Sequence, residues 1–188
     1  MQLNLKEEMM KYFLFLALSI FAFADDVDGR APLHDAVYYE EYEKVSTLIK
    51  EGADVDVINA AGLTPLHIAI KKRDTQAATL LLDGGADINA QDNNENTPLI
   101  LAVKKKSLEL VRFLILRGAN LNLKNSEGIS PLHQAAYTGN PDVVEYLLNM
   151  GADYKERSKQ GHTAFDFAVM QNNLSVIDVL KLYERKHQ

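Results

Sequence analysis

The sequence predicts an all-α solenoid of five 33-residue units, and two marks that recur along the chain predict it. The first mark is a tetrapeptide close to Thr-Pro-Leu-His, which stands at residues 31–34, 64–67, 97–100, 130–133 and 163–166. The second mark is a Gly-Ala-Asp or Gly-Ala-Asn triplet at residues 52–54, 85–87, 118–120 and 151–153. Self-similarity at a fixed period of this length is typical of stacked repeats.

Each unit is predicted to hold an inner helix followed by an outer helix. The inner helix begins after a hydroxyl side chain such as Thr64, which caps its first amides, and starts on a proline such as Pro65. After a short turn, the outer helix places apolar residues such as Ala77 and Leu81 on one face. Gly85 ends this helix, because a left-handed residue past a helix end favours glycine. One unit cannot cover its own apolar face, so neighbouring units must stack.

An uncharged, mostly apolar run at residues 12–23 stands apart from the repeated units. It is shorter than the about 20 residues that a membrane-spanning helix needs. Residues 22–24, Ala-Phe-Ala, follow the small-x-small order that signal peptidase cleaves. We therefore expect residues 1–24 to be a cleavable signal peptide, with no stable membrane anchor after cleavage and a periplasmic or secreted product. The alternatives are a buried first helix and an uncleaved anchor, and the candidate start residues are Met1, Met9 and Met10.

Composition excludes several classes of protein. The chain has 188 residues, of which 24% are charged and 47% hydrophobic, as in ordinary globular domains. It contains no cysteine, which excludes disulfides, thiolate zinc sites and a cysteine nucleophile. Its 20 basic and 26 acidic residues give a net charge of −6, which disfavours nucleic acid as a partner.

The Thr-Pro-Leu-His tetrapeptide at a period of 33 residues resembles the ankyrin repeat. The resemblance extends over residues 26–188, with predicted repeats at residues 26–58, 59–91, 92–124, 125–157 and 158–188. It implies an ankyrin-repeat solenoid whose short β-hairpin fingers project from the helices and whose fingers and inner helices form a concave binding face. With its signal peptide, the chain resembles exported bacterial ankyrin-repeat proteins.

Three departures from the repeat pattern carry structural expectations. The fifth unit has Ala-Phe-Asp at residues 164–166 and should be a terminal cap with a polar outer face. The first unit has only residues 25–28 for its finger and should be the first to fray. Glu95 stands where the other units have glycine, and a non-glycine residue at positive φ costs roughly 1 kcal/mol. We therefore expect the finger that contains Glu95 to turn differently.

The chain is predicted not to be an enzyme and to need no cofactor. His34, His67 and His133 end the tetrapeptides of three separate units. Neighbouring helices lie about 8–10 Å apart, too far for these rings to share a metal whose ligands bind at about 2 Å. The family resemblance gives them a structural role instead, with hydrogen bonds to the backbone and to the capping hydroxyl. The sequence has no phosphate-binding loop, nucleophile elbow or His-Glu-x-x-His motif.

The candidate partner-binding residues stand at the end of each inner helix, where the units differ from one another. In ankyrin repeats, partners contact this end and the finger tips. The residues chosen on this basis, together with His162 of the last finger, are Tyr38, Tyr39, Lys71, Lys72, Lys104, Lys105, Tyr137 and Met170. Arg73 and Lys106 enlarge the basic middle of this row, which favours a partner with an acidic segment. A solvated charged face without a partner is the alternative.

The C-terminal part of the same face is predicted to be apolar. Ile129 and His162 precede the last two inner helices, Tyr137 and Met170 stand near the ends of those helices, and Met150 precedes Gly151. Together they predict an apolar patch with one exposed imidazole. Aromatic and methionine side chains on a concave surface are typical of binding hot spots. Scattered surface apolar residues are the alternative.

The leading functional interpretation is a monomeric, exported interaction module that binds another protein on its concave face. The first alternative is an accessory to a haem enzyme such as catalase, in peroxide defence or haem delivery, with which some exported bacterial ankyrin-repeat proteins are associated. His162 would be the candidate haem ligand in that case. The second alternative is a secreted effector or a toxin-immunity protein.

Overall fold

The computed structural model describes residues 31–187, so the predicted signal peptide and the first finger lie outside the described residues. The described chain contains ten α-helices. The inner helices begin 33 residues apart and are α1 (Pro32–Tyr38), α3 (Pro65–Lys72), α5 (Pro98–Lys104), α7 (Pro131–Thr138) and α9 (Ala164–Met170). The outer helices are α2 (Tyr42–Lys50), α4 (Thr75–Asp83), α6 (Leu108–Leu116), α8 (Pro141–Asn149) and α10 (Leu174–Lys186). The predicted all-α solenoid is confirmed, and residues 31–187 contain five helix pairs.

The inner helices begin where the capping hydroxyls predict. The Thr64 hydroxyl accepts a hydrogen bond from the backbone N–H of His67, at 3.4 Å. Thr97, Ser130 and Thr163 cap α5, α7 and α9 in the same way. Helix α1 is the exception, because Ala31 has no hydroxyl and provides no side-chain cap.

The helix pairs stack in chain order around one apolar core. Consecutive inner helices pack against each other, and each outer helix packs on the inner helix of its own pair. One alanine in each inner helix is fully buried, at positions 36, 69, 102, 135 and 168. These small side chains let neighbouring helices approach closely. Leucines of the outer helices, such as Leu81, Leu114 and Leu147, close the core from the other side.

The fingers are tight turns, and residues 31–187 contain no β-strand. The prediction of β-hairpin fingers is therefore wrong in its secondary structure. In each described finger the first side chain accepts a hydrogen bond across the turn. The Asn125 side-chain oxygen, for example, accepts from the N–H groups of Glu127 and Ile129, at 3.0 and 2.9 Å. Two backbone hydrogen bonds, from Asn125 N to Ile129 O at 3.1 Å and from Gly128 N to Asn125 O at 2.8 Å, close the turn.

Glu95 adopts the same left-handed conformation as the glycines it replaces, at φ 59°. The expectation that this finger turns differently is therefore wrong. Asp92 organises the turn by accepting hydrogen bonds from the N–H groups of Asn94 and Asn96, at 2.8 and 2.9 Å. These bonds hold the turn in the shared form and oppose the backbone strain at Glu95.

The last helix pair covers the stack with a mixed surface. Val169 stands where α7 has the fully buried Ala136, yet it is 51% exposed because no further helix pair among residues 31–187 covers it. Leu174 and Leu182 of α10 are also exposed, at 65% and 54%. The prediction of a polar outer face is therefore wrong for these positions. The tail residues from Tyr183 to Lys186 extend α10 to 13 residues.

Candidate functional site

The predicted partner-binding residues form one row along the C-terminal ends of the inner helices. All of them except His162 lie within the last two residues or at the C-cap of α1, α3, α5, α7 and α9, and those helices pack in the same order. His162 lies in the last finger, directly before the N-cap Thr163 of α9. The fingers stand beside this row, since the finger residue Asn96 accepts a hydrogen bond from the Lys104 ammonium at 3.0 Å. We call the surface formed by inner-helix ends and fingers the groove face.

Lys72 is already engaged within the protein. Its ammonium pairs with the Glu40 carboxylate at 3.0 Å and lies 4.8 Å from the centre of the Tyr38 ring. It also donates a hydrogen bond to the Tyr38 carbonyl. These contacts join the first two helix pairs. Lys72 is therefore a structural cation whose ammonium already has an acidic partner within the protein.

The other cations at the ends of the inner helices have no acidic ion-pair partner among residues 31–187. We call Lys71, Arg73, Lys104, Lys105 and Lys106 the basic centre. Among residues 31–187, no carboxylate oxygen lies within 4.0 Å of any of their charged nitrogens. Arg73 instead donates to the Lys105 carbonyl at 2.6 Å, which joins the second and third pairs and keeps these charges close together. The basic centre therefore presents several uncompensated positive charges.

Aromatic rings gather where the fourth and fifth pairs meet. The Phe167 ring lies edge-to-face with the rings of His133, Tyr137 and His162, at centroid distances of 5.6, 6.4 and 5.8 Å. Ile129 is buried beside them. We call Ile129, Tyr137, His162 and Phe167 the aromatic patch.

Phe167 is the functional candidate that sequence reasoning missed. It follows the fourth residue of the tetrapeptide, a position held by Asp35, Ile68, Leu101 and Gln134 in the other pairs. The change to an aromatic side chain at this variable position was the available signal. Met170, by contrast, is 54% exposed at the end of α9 and does not line the cavity beside Phe167.

The tetrapeptide histidines have a structural role, as predicted. The Nδ1 atom of His67 accepts a hydrogen bond from the Thr64 backbone N–H at 3.1 Å, so the proton resides on Nε2. Nε2 then donates to the Asn96 carbonyl of the next pair at 3.1 Å. His133 makes the equivalent bonds to Ser130 and to the Glu156 carbonyl. Burial lowers the pKa of both histidines, against the opposing effect of these carbonyl hydrogen bonds.

Asp166 performs the same capping task in the last pair. The N–H and hydroxyl groups of Thr163 both donate to its carboxylate at 2.8 Å. The backbone bond, followed by the hydroxyl bond, lowers the pKa of the Asp166 carboxyl. His162, to which the sequence assigned no structural role, packs on Phe167 as described above.

Neither a metal site nor a membrane-spanning helix is found among residues 31–187. Between residues 31 and 187, no group of three or more His, Asp or Glu side chains is placed to hold a metal ion. Within the same range, no helix has the length and apolar character needed to cross a bilayer.

Comparison with known families agrees with the repeating helix pairs. A family model described as ankyrin repeats (3 copies) matches residues 33–125 and, in a second overlapping match, residues 99–187. A search of curated proteins found no match. The family matches together span residues 33–187, most of the chain. The chain belongs to the ankyrin repeat family.

Proposed function

We propose that this protein is a non-enzymatic interaction module that binds an acidic segment of a partner protein along its groove face. Ankyrin repeats generally act as scaffolds that bind other proteins, which supports the general class of function. The observation that carries the finer proposal is the basic centre. Five neighbouring cations without a carboxylate partner among residues 31–187 are unusual on a chain of net charge −6.

A cluster of positive charges could also be a solvated surface without a partner. The residues beside the basic centre distinguish the two interpretations. Tyr38 and Tyr39 flank the basic centre on one side, and Tyr137 and the rest of the aromatic patch flank it on the other. The three tyrosines are 44%, 66% and 49% exposed. Exposed tyrosines beside cations are typical of binding hot spots, because their rings bury a large area at a small cost in conformational entropy. This combination favours a protein partner over a solvated face.

Site-specific photocrosslinking tests the proposed function. A photoreactive amino acid is placed at Tyr39 or Lys105 on the groove face, or at Leu116 on outer helix α6 as a control that is 80% exposed. The crosslinks are formed in the native extract and identified by mass spectrometry. We expect one protein to be captured from both groove positions and not from Leu116. Equal capture from all three positions, or none from the groove face, would contradict the proposal.

We further propose that residues 1–24 direct export and are removed. The apolar run and the small-x-small order at residues 22–24 support this step. N-terminal sequencing of the extracytoplasmic protein should begin at Asp25. An intact N-terminus on a cytoplasmic pool would contradict export.

A further inference from the structure

A cavity of about 300 Å³ opens on the groove face between the fourth and fifth helix pairs. Gln134 and Tyr137 of α7 form one wall, and Phe167 of α9 forms the other. His133 lies at its base, and the finger residues Glu127 and Ile129 form its rim. The volume is at the lower end of the range for ligand pockets and suits one bulky side chain.

The shape of the cavity is maintained by contacts within the protein. The Phe167 ring is held edge-to-face by three neighbouring rings, and His133 is fixed by its hydrogen bonds to Ser130 and Glu156. Tyr137 is nonetheless half-exposed, so much of its ring remains free. A preformed aromatic wall with a free ring can bind an inserted side chain without a large ordering cost.

The basic centre lies next to this cavity. Lys104 and Lys105 end α5, which packs directly against α7, and Asn140 after α7 donates to the Lys106 carbonyl at 3.3 Å. Adjacent helix axes are about 8–10 Å apart, which an extended peptide spans with about three residues. An extended segment that contacts the basic centre can therefore reach the cavity within three or four residues.

Glu127 affects which kind of side chain the cavity can accept. Its carboxylate has no ion-pair partner among residues 31–187 and stands at the rim of the cavity. A second acidic residue would be repelled there, so the acidic residues of the partner must lie over the basic centre. The rings of Tyr137 and Phe167 and the buried Ile129 line the cavity, and this lining favours an uncharged, apolar residue inside it.

We infer that the partner presents a linear segment in which an acidic cluster and one bulky apolar or aromatic residue lie three or four positions apart. The acidic cluster binds the basic centre, and the bulky residue enters the cavity between Tyr137 and Phe167. This inference rests on the proposed function, because it specifies the chemistry of the partner at that same groove face.

Display selection with random 12-residue peptides tests the inference on the full chain. The baits are the wild type, Tyr137→Ala, the pair Lys71→Glu and Lys105→Glu, and Val169→Ala. Val169 serves as the matched control, because it is an exposed apolar residue of the same last pair that does not line the cavity. Circular dichroism confirms that each bait is folded.

We expect the wild type and Val169→Ala to enrich peptides with an acidic cluster and, three or four positions away, Phe, Trp, Tyr, Leu or Met. On Tyr137→Ala, enrichment of the bulky residue should fall at least tenfold while the acidic cluster persists. On the double charge reversal, the acidic cluster should be lost.

Three outcomes would overturn the inference. Enriched peptides with a basic residue at the anchor position would assign the cavity to a cation attracted by Glu127. Enriched peptides without the fixed spacing would separate the cavity from the basic centre. No enrichment, together with groove-specific photocrosslinking, would show a folded partner surface and leave the proposed function standing, whereas failure of both experiments would overturn both.

Discussion

His67 and His133 each join two neighbouring helix pairs through one imidazole ring. Nδ1 must accept and Nε2 must donate for both sets of bonds to form, so only the neutral ring fits. Protonation would place a hydrogen on Nδ1, against the backbone N–H that it faces. Burial lowers the pKa of both rings as well, because the charged form loses its hydration.

Stability is therefore expected to fall as the pH falls below about 6.5, the ordinary histidine pKa. The unfolded state binds more protons there than the folded state, so the free energy of unfolding drops by up to about 1.4 kcal/mol per pH unit for each histidine. Urea unfolding between pH 7.5 and 5.5 measures this slope. His67→Ile with His133→Ile should flatten it, since Ile100 naturally fills the same position. Equal slopes for wild type and variant would contradict the account.

Backbone strain in the fingers provides a second test at the residue scale. Glu95→Gly should raise the free energy of unfolding by about 1 kcal/mol, because it relieves a left-handed non-glycine residue.

Contacts between neighbouring fingers are tested by two glycine substitutions. Gly128→Ala should lower the free energy of unfolding by more than Gly161→Ala does. Both glycines have positive φ. A Cβ added at Gly128 would lie only 2.7 Å from the Lys159 backbone nitrogen, whereas a Cβ added at Gly161 would have no neighbouring atom within 4 Å. Equal losses for the two alanine variants would show that finger contacts contribute nothing.

At the scale of the element, the first inner helix lacks what the others share. Ala31 leaves α1 without the hydroxyl cap that Thr64 gives α3. Ala31→Thr should add that cap and raise the free energy of unfolding by about 1 kcal/mol, while Thr64→Ala should lower it by a similar amount. Chemical denaturation of the two variants measures both changes. A destabilised Ala31→Thr would mean that α1 is held in a way the capping pattern does not describe.

The helices could be predicted from sequence because their signals are local. Hydroxyl caps and prolines mark the starts of α3, α5 and α7, and the period of 33 residues places the remaining inner helices. The fingers were predicted as β-hairpins from family resemblance, but the side chains of Asp92 and Asn125 close each turn within a few residues. The outer surface of the last helix pair was predicted to be polar because the C-terminal tail residues are polar. The exposure of Val169 depends instead on whether another helix pair packs against it, which the local sequence does not show.

The positions of the groove-face residues could be predicted from the sequence, but most of the contacts that their side chains make could not. Tyr39, Lys71, Lys105 and Tyr137 lie where the repeat register places them. Lys72 forms an ion pair with Glu40, and Phe167 packs against three rings. These contacts join neighbouring helix pairs, so the pattern within one repeat does not reveal them.

For the whole molecule, charge reversal in the basic centre is the decisive substitution. Lys71→Glu with Lys105→Glu should weaken binding of the crosslinked partner at least tenfold and remove most of its salt dependence. Lys50→Glu with Lys181→Glu is the matched control, with the same change of charge on the outer helices α2 and α10. Titration calorimetry in dilute buffer and in about 0.5 M salt measures the affinity of each double variant and how that affinity depends on salt. Equal weakening by the two pairs would indicate only a net-charge effect.

Hydrogen exchange of the protein with and without its crosslinked partner tests the central claim most directly. If the groove face is the binding surface, amides in the fingers and at the ends of α3, α5 and α7 should gain protection on binding, and those of α2, α4, α6 and α8 should not. Protection confined to the outer helices would contradict binding at the groove face.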